Sequence, residues 1–256
     1  MKTLMLILSF ITCIASIANA AQDPTLQLFY NFNKDTGKEI LDASGNGLSG
    51  VVTGTKYVGG DKFGGAMLFD GKSHIRSPQE IKGFTDKKLK AITVEHWVFL
   101  EANTGQTQQI WEALNTAGAW PAETFIEGPQ EMTFYIYDDN KKAHEMKTPK
   151  LSLKKWHHIA GTYDGSVQRL YLDGKKVAEE KWSGTFTVVS AKSGAIVIGK
   201  DNEADQQYWG GLIDEFAVYT RALSETEIKR DMNRGIVAVS PAGKMSVAWG
   251  DIKSTY

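Results

Sequence analysis

The chain has 256 residues, 42% of them hydrophobic and 11% aromatic, which is enough for one all-β sandwich domain with a sizeable core. Its 29 Lys and Arg stand against 30 Asp and Glu for a net charge of −1, a balance that argues against nucleic acid or an anionic membrane surface as partner, since both favour a basic face. The only cysteine, Cys13, lies in the N-terminal apolar run, so the core rather than a disulfide must hold the fold.

Met1-Lys2, the apolar run from Leu4 to Ile17 and the small-x-small triplet Ala18-Asn19-Ala20 read as a signal peptide over 1–20, cleaved before Ala21. The run is shorter than the roughly 20 residues of a spanning helix, so membrane insertion is not expected. Phe10-Ile11-Thr12 before Cys13 lacks the small residue of a lipoprotein cleavage site, which argues against a lipid anchor. The protein is therefore expected to be secreted, to the periplasm or beyond the cell. Residues 21–237 are read as one domain and 238–256 as a C-terminal tail, pinned by Trp249.

Leu26, Leu28, Tyr30 and Phe32 alternate with Gln27, Phe29, Asn31 and Asn33, which predicts a strand with an apolar inner face. Asp42-Ala43-Ser44-Gly45-Asn46-Gly47 then spaces oxygen side chains at the first, third and fifth positions with Gly at the sixth, as an EF-hand loop does. Thr53 stands where the bidentate Glu belongs, so this is no EF-hand, and the choice lies between a calcium loop of another kind and a plain Asx turn. Gly71-Lys72-Ser73 imitates a phosphate loop, but the preceding glycine is one position too far back and strand pattern surrounds it, so a hairpin is expected.

Trp111, Trp120 and Trp209 lie near amide-rich stretches, Thr104-Gly105-Gln106-Thr107-Gln108-Gln109 and Gln206-Gln207, and are candidate stacking surfaces for a sugar. Trp97, Trp156 and Trp182 sit in strand-patterned runs and read as core. His157 and His158 are neighbours on a strand, point to opposite faces and cannot share an ion, so packing or hydrogen bonding is expected of them and of His96. Asp173-Gly174 between Tyr171-Leu172 and Lys175-Lys176-Val177 predicts a type I′ hairpin, and Ser224 with Glu227 predicts a capping box opening a helix that Gly235 closes.

The most informative stretch is Gly210 to Ser224. Strand alternation would put Asp214 on a face with Phe216 and Val218, and Glu215 on a face with Ile213 and Ala217. A carboxylate facing a core needs a cation, either Arg221 or a bound metal.

Gly210-Gly211-Leu212-Ile213-Asp214-Glu215, running into Arg221-Ala222-Leu223-Ser224, resembles the closing signature of laminin-G-like domains of the concanavalin A-like lectin/glucanase superfamily. Phe63-Gly64-Gly65-Ala66-Met67-Leu68-Phe69-Asp70-Gly71, Ile92-Thr93-Val94-Glu95-His96-Trp97-Val98, Trp156-His157-His158-Ile159-Ala160-Gly161-Thr162-Tyr163-Asp164-Gly165 and Leu170-Tyr171-Leu172-Asp173-Gly174 fall in the family's order, within a similarity covering Leu26 to Gly235. The resemblance implies an all-β fold: a two-sheet antiparallel jelly-roll sandwich with one short C-terminal helix. It also implies a structural calcium held by Asp42, Asn46 and Asp214, and a carbohydrate or glycoprotein partner. Glucanases of the superfamily carry Glu-x-Asp-x-Glu on one strand; Glu203-Ala204-Asp205-Gln206-Gln207 lacks the second Glu, and Asp214-Glu215 diverge as strand neighbours, so no catalysis is expected. The alternative to a lectin-like module is an adhesion or scaffold module that recognises protein, with a glycoside hydrolase the weakest reading.

Overall fold

The computed structural model describes residues 23–34, 37–59, 63–102, 104–114, 121–128, 130–189, 195–202 and 206–236. In chain order the strands are β1 Leu26–Tyr30, β2 Glu39–Ile40, β3 Gly50–Thr53, β4 Lys56–Gly59, β5 Gly65–Asp70, β6 His74–Arg76, β7 Lys87–Leu89, β8 Ile92–Leu100 and β9 Gln108–Ala113. The second half adds β10 Ala122–Glu127, β11 Glu131–Tyr137, β12 Ala143–Lys147, β13 Trp156–Tyr163, β14 Val167–Leu172, β15 Lys175–Lys181, β16 Phe186–Val188, β17 Ile196–Ile198 and β18 Gly210–Tyr219, followed by helix α1 Glu225–Arg234.

Two large antiparallel sheets face each other. The first runs β15-β14-β13-β8-β18-β5-β4, with β1 lying against the second half of β18 on the edge that β5 occupies along the first half. The second runs β12-β11-β10-β9-β17-β6-β3-β2. This is the expected sandwich.

Period-2 alternation drives it. Val94, Val98, Ile159, Ile213, Phe216 and Val218 of the first sheet meet Ile75, Ile110, Trp111, Phe134, Ile136 and Ile196 of the second in one core. Gly161 lets the two sheets approach closely, since a Cβ there would stand 2.5 Å from the Phe134 ring. The other face of the first sheet carries a smaller cluster, Leu26, Phe29, Ala160, Tyr171, Ala217 and Tyr219, onto which Leu223 and Ile228 bring the helix.

The local devices read from the sequence are in place. Asp173 and Gly174 have φ of 50° and 72°, the positive values that a type I′ turn demands. Ser224 and Glu227 form the reciprocal capping box, and Gly235 closes α1 with φ 73°.

Three expectations are corrected. Gly71-Lys72-Ser73 does not close a hairpin: β5 belongs to the first sheet and β6 to the second, so the turn carries the chain from one sheet to the other. Leu26 does not share the face of Leu28 and Tyr30, because the pairing with β18 slips between Leu26 and Leu28. The alternation on β18 breaks at a bulge between Asp214 and Ala217, with Glu215 at φ 50°, so Phe216 and Val218 point into the main core while Asp214 leaves their face.

Candidate functional site

The turn after β5, the chain leading into β9 and the segment before β18 gather at one end of the sandwich and enclose a groove of about 640 Å³. Thr104, Gln106, Gln206 and Tyr208 are among the residues on its walls. Gln108 is buried and shapes it, its Oε1 accepting from Gly210 N at 2.9 Å and its Nε2 donating to Thr104 Oγ1 at 3.0 Å. The backbone fixes the remainder: Gln109 N donates to Gln207 O at 2.7 Å, Gly71 N to Trp209 O at 3.1 Å, and Trp209 N to Gly199 O at 2.9 Å. Gln207, at φ 55°, turns the chain back toward β9. Gln106 and Gln206 are left exposed, and Lys200 Nζ stands 5.5 Å from the centroid of the half-buried Tyr208 ring. The arrangement offers amide donors and acceptors around one cation-capped ring.

Next to the groove lies the outer face of the second sheet. Strand register draws one row across it: Arg76, Val197, Glu112, Glu123, Tyr135 and Glu145 stand opposite one another on successive strands. Glu112 is buried and accepts from Asn202 N at 3.4 Å, while Asn202 Oδ1 accepts from Arg76 Nη1 at 2.7 Å. Glu123 Oε2 accepts from Gln109 Nε2 at 2.8 Å. Burial pushes the Glu123 carboxyl up to about 7, and the charges of Asp201 and Glu145 push the same way. Burial raises the Tyr135 hydroxyl to about 12, helped by Glu123. Tyr135 and Tyr137 are half-buried, with near-parallel rings at 8° and centroids 6.3 Å apart.

Two of the three tryptophans expected to form a sugar platform do not. Trp111 and Trp209 are fully buried, and neither offers a ring face to solvent. Trp111 donates from Nε1 to Thr124 Oγ1 at 2.7 Å and meets Phe216 edge-on at 6.0 Å; a bulge in the β9–β10 pairing sets its direction inward. Trp209 is drawn down by its backbone bonds to Gly199 and Gly71. Trp120 lies outside the described residues. Of the three read as core, Trp97 and Trp182 are buried and Trp156 is half-exposed. Sequence reasoning missed Tyr135, Tyr137 and Glu123; the signal that could have found the tyrosines is the alternation within Glu131–Tyr137, which sets them on the face opposite Phe134 and Ile136.

The candidate calcium residues fall into two places. Asp42 and Asn46 share a loop in which the Asp42 carboxylate takes four donors: Phe29 N at 3.1 Å and Ser44 N at 2.9 Å on Oδ1, Ser44 Oγ at 2.8 Å and Leu48 N at 3.0 Å on Oδ2. These fill the acceptor capacity of a carboxylate, so an ion here would have to displace one of them. Asn46 Nδ2 donates to Leu26 O at 2.9 Å and to Gln27 O at 3.0 Å. The Asx reading accounts for this geometry with protein groups alone. Asp214 sits instead at the β18 bulge, its Oδ1 accepting from Glu215 N at 2.7 Å. Arg221 is not its partner; the guanidinium reaches Asp23 at 2.6 Å and Glu227 at 2.7 Å. Among the described residues no three His, Cys, Asp or Glu side chains are arranged to hold a metal.

A second acidic group lies under the helix end. Glu215 Oε2 accepts from Ile236 N at 2.9 Å, and burial followed by the charge of Asp231 pushes its carboxyl up to about 8. Glu95, fully buried, is pushed up by burial and then by Asp231 and Glu215. The histidines are structural as expected: His157 Nε2 accepts from Ser152 N and Nδ1 meets Asp173 at 3.0 Å, while His96 stacks on Phe216 at 6.2 Å and is lowered to about 3 by burial. Glu203 and Asp205, the nearest approach to a glucanase motif, lie outside the described residues.

A family model described as the concanavalin A-like lectin/glucanases superfamily, Laminin_G_3, matches residues 69–229, more than half of the chain. Pappalysin-1 of Mus musculus is 31% identical over 104 residues, and pappalysin-1 of Homo sapiens 28%. These stretches are 40% of this chain but only 6% of the pappalysins. Among solved structures, the binding domain of Paraclostridial Mosquitocidal Protein 1 is similar at a TM-score of 0.64 and 18% identity, over 82% of this chain and 52% of that one. The binding domain of botulinum neurotoxin serotype G gives 0.63 and 18%, over 81% and 50%. Domain 4 of AbnA, a GH43 extracellular arabinanase from Geobacillus stearothermophilus solved with arabinotriose, gives 0.58 and 20%, over 82% of this chain and 98% of that one. At these identities the structures establish the fold alone, and with the family match they make this chain a member of the concanavalin A-like lectin/glucanase superfamily.

Proposed function

We propose that the protein is a secreted, non-catalytic carbohydrate-binding module whose ligand occupies the groove beside Tyr208. The observation that carries this reading is the groove's chemistry: exposed Gln106 and Gln206 around a half-buried tyrosine ring, on backbone pinned by hydrogen bonds. Amides supply both donors and acceptors for sugar hydroxyls, and a fixed backbone reduces the ordering cost of binding. The similarity to an arabinanase domain held with arabinotriose supports the ligand class. A glycan array probed with residues 21–256 tests it. Retention on at least one glycan family, with no reducing-sugar release from that polymer, is the expected outcome; an array silent throughout, or turnover, would overturn it.

One observation favours recognition of protein instead. Leu68, Leu212, Phe99 and Trp156 stand opposite one another in a row across the outer face of the first sheet, all half-exposed. Contiguous apolar surface of this kind marks contacts with other macromolecules. Loss of a bound protein on Phe99→Glu, with glycan retention unchanged, would assign that face to the second reading.

A further inference from the structure

Helix α1 covers only part of the outer face of the first sheet. Its Ile228, with Leu223 before it, packs on Ala160, Tyr171, Ala217 and Tyr219, and it ends at Gly235, where a Cβ would stand 3.5 Å from both the Phe63 ring and the Glu215 carboxylate. Phe63 extends the cover to Trp97, with ring centroids 6.2 Å apart. The next row along the strands is Leu68, Leu212, Phe99 and Trp156. All four are half-exposed, and the Phe99 and Trp156 rings lie side by side at 5.6 Å. The described chain ends close to this row: Ile236 is held by Glu215, and Leu212 lies three residues before Glu215 on β18, about 10 Å away.

Residues 237–256 lie outside the described residues, and their sequence contains a strand-like alternation in which Met245, Val247 and Trp249 are separated by Ser246 and Ala248. The stretch 237–244 reaches roughly 26 Å when extended, more than twice the gap from Ile236 to the row. The lengths also match. From Leu68 to Trp156 the row crosses three strand spacings, roughly 14 Å, and the four extended steps from Met245 to Trp249 span about the same.

We propose that the segment 245–249 of the same chain lies across this row, with Met245, Val247 and Trp249 against Leu68, Leu212, Phe99 and Trp156, and so completes the outer layer that α1 begins. A tethered segment meets its seat at an effective concentration of about millimolar, which an outside protein would have to outcompete. The row and the three apolar side chains leave water together, so both sides of the contact are stabilised. The inference stands independently of the glycan reading, and it gives the row an occupant from within the chain in place of a protein partner.

Residues 21–256 contain no cysteine, so a pair introduced there reports proximity through disulfide formation. Under mild oxidation Val247→Cys should cross-link within one chain to Leu212→Cys, and far less to Val51→Cys, which is 62% exposed on the second sheet and controls for random encounter. Tryptic cleavage after Lys244 supplies the second reading, because cleavage tracks the population in which the segment is off the sheet. Val247→Asp and Phe99→Glu should each speed it at least about tenfold. Val247→Asp changes no residue of the sandwich, so the test holds even where Phe99→Glu fails to fold. Equal cross-linking to Leu212→Cys and Val51→Cys, or a cleavage rate that Val247→Asp leaves unchanged, would overturn the proposal and leave the row to an outside protein. A disulfide formed only between chains would overturn it in favour of a second copy.

Discussion

Ile236 donates its backbone N–H to Oε2 of Glu215 at 2.9 Å, and this bond ties the end of helix α1 to the bulge in β18. The chain thus leaves its helix anchored to a carboxyl group that burial has pushed up to about 8.

The first prediction follows from that anchor. Glu215 ionises near 4.5 when unfolded and near 8 when folded. Its folded value is raised, so the stability it contributes is complete below about pH 4.5 and is lost as pH rises through 8. Glu95 and Asp231 share the field, so the titration belongs to the group. Glu215→Gln keeps an acceptor for Ile236 and cannot ionise. Urea denaturation at pH 5 should find variant and wild type alike, and at pH 9 the variant should be the more stable, by about 1–3 kcal/mol.

His96 works in the opposite sense. Its two ring nitrogens have no hydrogen-bond partner among the described residues, and burial lowers it from 6.5 to about 3. The unfolded chain therefore binds a proton first on acidification, and stability falls between pH 6.5 and 3. His96→Phe, which preserves the stack on Phe216, should flatten that part of a pH-against-Tm curve. An unchanged acid limb would assign the sensitivity elsewhere.

Gly161 lets the sheets close on Phe134. Ala there brings its Cβ against the Phe134 ring, and overpacking of this kind costs about 1–3 kcal/mol. Gly161→Ala should lower the urea midpoint without changing the m-value, and Phe134→Leu in the same chain should recover part of the loss.

The Asp42 loop is satisfied by four protein donors, so chelation should leave Tm where it is. An ion bound at a hundredfold excess over its Kd would add about 2.7 kcal/mol and, at 2–4 °C per kcal/mol, would make chelator cost roughly 5–11 °C. A drop of that size, abolished by Asp42→Asn, would place calcium in the loop. Asp42→Asn should otherwise destabilise equally with calcium and with chelator.

The parts of the fold that were legible in the sequence are those set by short-range rules. Strand alternation, the Asp173-Gly174 turn and the Ser224–Glu227 box each depend on neighbours a few residues away, and each is found as read. The errors arise where one extra residue shifts the phase. The bulges at Leu26–Leu28, at Thr124–Phe125 and at Asp214–Ala217 send Leu26, Trp111 and Asp214 to faces that strict alternation does not give. The site was half legible. The amides of Gln106, Gln108, Gln206 and Gln207 do line the groove, but the aromatic group beside them is Tyr208, while Trp209 one residue later is in the core. Arg221 illustrates what proximity in sequence cannot decide: Asp23, almost the whole chain away, holds it in place of Asp214.

Calorimetric titration of the best glycan from the array into wild type and into Gln106→Ala/Gln206→Ala tests the central claim most directly. Both side chains are exposed on the groove wall, so Tm should be unchanged while affinity falls at least about tenfold. Full affinity in the folded double variant would contradict the claim that the groove beside Tyr208 is where the ligand binds.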